Sequence, residues 1–237
     1  MSERAEFSRA AVWAAVAAVA VSLGAGVLGN VADGVPTPYD TPAAQVAEFF
    51  SRHSGSILAS GFLETLSGLL LVVFAVGLFS RLTQDPAARI RPPATLGLVG
   101  AGIYAAILAM VGALLFAAAN LSGRGAAADQ SVVALTVLWN TSVVMLGPVA
   151  ALFMAGFGLA GVKAAQFPNW LGWLAIWGAA AGLLAPLPDL VARVSFVAAD
   201  LISLLATLQQ AFLIIWLLGV ANWLRRGAMD DDVPAER

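Results

Sequence analysis

Six long apolar stretches separated by short polar breaks take up most of this chain, at about residues 10–31, 57–79, 94–119, 132–162, 170–187 and 197–223. A soluble domain of 237 residues has no interior large enough to bury that much hydrocarbon. Within a bilayer no water satisfies the backbone, so unbroken apolar runs of about 20 residues read as helices and not as barrel strands. The expected fold class is all-α, a polytopic transmembrane helical bundle of six spans. Charged residues are 11% of the chain against roughly 25% in an ordinary soluble domain, and mean hydropathy is +0.88.

Two stretches need separate argument. The first follows Arg4 and Arg9, as a signal peptide would, but its apolar core exceeds the 7 to 15 residues or so of a signal h-region. Asn30-Val31-Ala32-Asp33 is also a poor small-x-small cleavage site, so a retained helix is expected. The fourth stretch, 31 residues, would make roughly 46 Å of helix against about 30 Å of hydrocarbon. It must tilt, kink at Pro148 or project from the membrane.

Orientation follows from loop charge. With six spans, Arg4, Arg9, Arg81, Arg89, Arg91, Lys163, Arg225, Arg226 and Arg237 share one side, and Arg52, Arg124 and Arg193 the other. Nine cations against three place both termini in the cytoplasm, and the protein in the cell membrane as a multi-pass chain. Trp13, Trp170, Trp173 and Trp223 fall at that same interface, where indole rings anchor. Residues 1–226 read as one transmembrane domain. The acidic tail 227–237, with Asp230, Asp231 and Asp232 in a row, lacks an apolar period and is expected to be disordered and cytoplasmic.

The longest external segment, 32–55, opens with Pro36, Pro38 and Pro42. Thr41 before Pro42 reads as an N-cap followed by proline at the first helical position, so a short helix is expected at about 42–53. Val46, Phe49 and Phe50 share one face of it, which either lies on the outer membrane surface or covers a cavity mouth.

Small residues recur every four positions in the third span, at Gly97, Ala101, Ala105, Ala109, Ala113 and Ala117, and in the first, at Ala10, Ala14, Ala18, Ser22 and Gly26. Such faces let helix backbones approach closely, so they are assigned to bundle packing or dimerisation. Polar residues form a second kind of stripe. Ser56, Ser60, Glu64 and Ser67 share a face of the second span, and Asp200, Ser203, Thr207 and Gln210 a face of the sixth. Thr136 and Asn140 add a shorter one on the fourth. Counting 1.5 Å per residue from the outer helix ends brings Glu64, Asn140 and Thr207 to similar depth, roughly 10 to 15 Å in, with Ser22 level with them. The expectation is an outward-facing polar pocket centred on Glu64, with Asp200 nearer its mouth and Gln209 or Gln210 at its floor. The competing account is that these groups serve only as hydrogen-bonding contacts between helices.

The inventory excludes much familiar chemistry. There is no cysteine, and the one histidine, His53, and one lysine, Lys163, lie outside the spans, so haem ligation, a retinal Schiff base and a Ser/His intramembrane protease lack their residues. Asp200 follows Val197-Ala198-Ala199 and not the Gly-x-Gly of an aspartyl intramembrane protease, and no P-loop or zinc-protease motif occurs. No cofactor or metal is expected. Net charge is −2 with no basic cluster, which argues against nucleic acid.

Pro38-Tyr39-Asp40 leading into an Ala/Glu/Phe helix, Phe74-Ala-Val-Gly-Leu-Phe-Ser-Arg81 closing the second span and Phe167-Pro-Asn-Trp-Leu-Gly-Trp173 opening the fifth carry a resemblance. Together they resemble a family of uncharacterised bacterial six-helix integral membrane proteins, a domain of unknown function. The likeness runs over about residues 10–226 and implies a fold but no functional residues.

The reading that follows is a non-enzymatic multi-pass membrane protein that binds, senses or transports a small amphipathic, lipid-like or cationic ligand. Beyond the lipid bilayer, a small-molecule or lipid ligand and a membrane-protein partner or second copy are the partners it allows. The alternative is an accessory or structural subunit of a larger membrane complex, docked through the small-residue faces. A third is an intramembrane enzyme with Glu64 as general acid or base.

Overall fold

The computed structural model describes residues 3–31, 41–84, 89–184, 186 and 198–230. Among these there are seven helices and no strand: α1 (Glu3–Val31), α2 (Ala43–Arg52), α3 (Ser54–Leu82), α4 (Arg91–Leu121), α5 (Ala126–Lys163), α6 (Asn169–Leu184) and α7 (Ala198–Asp230). Five of them contain stretches long and apolar enough to cross a membrane: Arg9–Leu28, Ser54–Leu82, Arg91–Leu121, Ala126–Lys163 and Thr207–Gly227. The stretch expected at 170–187 is realised as α6, 16 residues or about 24 Å, shorter than a perpendicular crossing.

The six long helices stand in a ring in chain order, α1 beside α3, then α4, α5, α6 and α7, and α7 returns to α1. Contacts show that neighbours run antiparallel. Ser60 and Ser67 of α3 meet Ala25 and Ala18 of α1, while Gly61 and Gly68 meet Gly112 and Ala105 of α4. Alternation of this kind gathers Arg9, Arg81, Arg91, Lys163 and Arg225 at one end of the ring. Short loops force such neighbours, because a chain leaving one helix end can only start the next beside it. Large apolar side chains face outward all round, among them Leu23, Phe62, Leu69, Val99, Leu138 and Ile215, as a lipid-facing surface requires.

The ring is filled by its own aromatic core. Trp216 of α7 is fully buried, with Phe153 at 5.4 Å and 84° and Phe74 at 6.0 Å and 89°, both edge-on, and Phe157 stacked at 6.4 Å. Offset and edge-on pairs of this kind contribute about 0.5 to 1.5 kcal/mol each beyond their buried area. Where backbones cross, glycine is required: a Cβ on Gly156 of α5 would collide with the backbone nitrogen of Gly97 on α4, and one on Gly112 with the carbonyl of Gly61.

Several element limits differ from expectation. The short helix α2 starts at Ala43 with Pro42 as its capping residue, not Thr41; no side chain caps it, and the Pro42 carbonyl accepts from Gln45 and Val46 at 2.9 and 3.2 Å. Its apolar face is docked on the bundle end. Val46 and Phe50 are buried with Ile57 of α3, Leu115 and Ala118 of α4 and Val132 of α5, and Phe49 packs at the edge. The 38-residue α5, about 57 Å long, keeps Pro148 inside it and uses its excess length as the ledge on which α2 rests. At the other terminus α7 continues to Asp230, so residues 227–230, expected in a disordered tail, are helical. The remainder of that tail, 231–237, lies outside the described residues.

Candidate functional site

The polar stripe of α3 divides between two tasks. The Ser60 hydroxyl donates to the Ala25 carbonyl at 3.2 Å, the Ser67 hydroxyl to the Ala18 carbonyl at 3.3 Å, and Ser22 and Ser67 share a hydrogen bond of 2.6 Å. These groups join α3 to α1, each bond contributing about 0.6 kcal/mol. Ser22, expected level with Glu64, Asn140 and Thr207, pairs with Ser67, three residues further along α3 than Glu64.

Glu64 is placed differently. On the helical wheel of α3 it falls between Ser60 and Ser67, which face α1, and Gly61 and Gly68, which face α4, in line with buried Leu71 and Leu78. That sector points to the interior of the ring, and Glu64 is half-buried there. Among the described residues no side chain ion-pairs or hydrogen-bonds with its carboxyl. Tyr104 of α4 is itself buried. Less than a turn along α3, Ser22, Ser67, Tyr104 and Gln210 line an interior crevice of about 20 Å³ between α1, α3, α4 and α7. That volume suits one water molecule or a desolvated ion, and nothing larger in this conformation.

The remaining expected site residues scatter. Asn140 is half-buried on α5, Thr207 is exposed, and Gln209, expected as an alternative to Gln210 at the floor, is buried beside Gly182 of α6. The backbones of Asp200 and Ser203 belong to α7, but their side chains lie outside the described residues. Thr136 donates to the Val132 carbonyl of its own helix at 2.8 Å. Arg52 pairs with Glu48 at 2.7 Å on the surface of α2, and His53 Nδ1 lies 3.1 Å from the Phe49 carbonyl. Among the described residues no group of three His, Asp or Glu side chains could hold a metal ion.

The small-residue stripe of α4 is split as well. Gly97, Ala101 and Ala105 are buried within the ring, Ala109 is half-buried and Ala113 exposed. A spacing of four advances about 40° per step beyond a full turn, so a six-member stripe drifts more than halfway round the helix. Tyr104 was missed by the stripe argument. The available signal was that it is one of two tyrosines in the chain and the one within an apolar stretch.

The family described as Domain of unknown function (DUF4386) matches residues 10–220, most of the chain. Among curated proteins and among solved structures, none matches.

Proposed function

The chain belongs to the DUF4386 family, and from that premise and the ring geometry we propose a non-enzymatic multi-pass membrane protein that binds a small cationic ligand at Glu64. In this reading α6 is the sixth crossing, its shortness met by local thinning of the bilayer, and the basic ring end is cytoplasmic.

The observation that carries it is the interior carboxylate of Glu64, bracketed by helix contacts on both sides yet bonded to no described side chain. An acid in such a place is costly unless a proton or a cation accompanies it, and in membrane proteins it marks ion and substrate paths. The 20 Å³ crevice lined by Ser67 and Tyr104 does not include Glu64, so the ligand class rests on the charge of the acid and not on that volume. The accessory-subunit reading draws support from Ser60 and Ser67, whose hydroxyls already serve α1. It is weakened by Gly97, Ala101 and Ala105, whose faces α3 and α5 already cover.

The test is native mass spectrometry of protein released from gentle detergent, wild type beside Glu64→Ala. A discrete bound mass lost in the variant supports the reading. A partner polypeptide retained in both samples, with no such mass, overturns it in favour of the accessory subunit.

A further inference from the structure

At the basic end of the ring, far from Glu64, a groove of about 380 Å³ runs along the seam where α1 and α7 close the circle. Its two ends are chemically different. Arg9 and Arg225 line one end, with Asn222 beside them and an Arg225 to Asn222 contact of 3.5 Å. Val16 and Leu218 line the other, each about 40% exposed. Because the helices are antiparallel, the seven steps from Arg9 to Val16 and the seven from Leu218 to Arg225 cover the same length, about 10 Å. The groove is therefore charged at the membrane interface and apolar about 10 Å deeper. Trp13, 72% exposed on its rim, marks the interfacial level.

We propose that this seam is a binding site for one anionic diacyl phospholipid, the phosphate held between the guanidinium groups of Arg9 and Arg225 and one acyl chain laid along Val16 and Leu218. Charge complementarity selects the occupant. Two guanidinium forks match phosphate oxygens, and basic pockets between membrane helices on the cytoplasmic side bind anionic headgroups. Size agrees, since the groove falls within the range of small-molecule sites, roughly 300 to 1,000 Å³, and holds a headgroup and the start of a chain while the rest stays in the bilayer. The occupant also has a structural effect: it bridges the first and last helices of the ring, a junction that no loop secures.

The experiment uses the full chain in nanodiscs of equal parts phosphatidylglycerol and phosphatidylcholine with identical acyl chains, released for native mass spectrometry. Wild type is expected to retain phosphatidylglycerol selectively at a ratio of one. At about fivefold per arginine, the Arg9→Gln/Arg225→Gln variant should lose about thirtyfold in that preference. Val16→Trp, which leaves the charge untouched and fills an outward-facing wall, should displace the lipid as well. Arg124→Gln, at the opposite end of the ring, should change nothing. Equal retention of phosphatidylcholine, an equal loss in Arg124→Gln or undiminished binding in Val16→Trp each overturns the proposal. Should the double arginine variant lose its fold, Val16→Trp alone decides.

Discussion

Gly156→Ala is expected to separate α4 from α5. The added methyl carbon would lie 2.5 Å from the Gly97 Cα and 2.9 Å from the Leu96 carbonyl carbon, and all of these are backbone atoms that no rotamer change can move. Carbon atoms sit comfortably at about 3.5 to 4.0 Å, so the helices must part by roughly 1 Å at this crossing. A gap of that size forfeits a quarter to a half of the dispersion energy of each facing pair, and Gly100 against Phe153 lies in the same seam. The cost should reach the upper end of the overpacking range, about 3 kcal/mol, or a factor of about 100 in the folded ratio. Gly102→Ala is the control, because a Cβ there meets nothing within 4 Å and alanine favours the helix. Unfolding in mixed micelles with increasing SDS, followed by tryptophan fluorescence, measures both. Gly156→Ala as stable as wild type, or Gly102→Ala equally impaired, would refute the crossing.

Ser67→Ala removes two contacts to α1 and should cost about 1 kcal/mol in the same assay, whereas Ser131→Ala, exposed and bonded only to its own helix, should cost less than about 0.5 kcal/mol. Phe50→Ala empties the apolar seat of α2, where a buried phenyl loss costs about 3 to 5 kcal/mol, so hydrogen exchange should accelerate across 43–52 while α3 to α5 keep their protection. Retained protection in 43–52 would mean that α2 holds its place by other contacts.

The helical class, most of the element positions and the apolar face of α2 were legible because each rests on a local pattern, whereas the seat of that face on α3, α4 and α5, in place of the membrane surface, was not. Apolar run length marked the helices, and Val46, Phe49 and Phe50 share a face by spacing alone. Of the apolar run expected to reach 187, α6 is described as far as Leu184, and residues 185 and 187 lie outside the described residues. The candidate site was legible only in part. Ser60, Glu64 and Ser67 read as one stripe, but 60° of the wheel is enough to send the serines to α1 and the acid inward. Spacing cannot make that distinction, because it depends on which neighbour stands on each side.

By itself, then, the sequence determined that this chain is a set of long apolar helices with cations gathered at alternate breaks, since hydrocarbon length and loop charge are properties of contiguous residues. Tertiary structure alone decided that the helices close into a ring, that Gly97 meets Gly156 and Gly61 meets Gly112, and that Trp216 fills the centre. It also brought Arg9 and Arg225, 216 positions apart, to one groove. Every such pairing is set by shape complementarity between distant segments. In a chain where nearly every face is apolar, hydrophobicity does not distinguish one pairing from another; close backbone approach and a few polar contacts do.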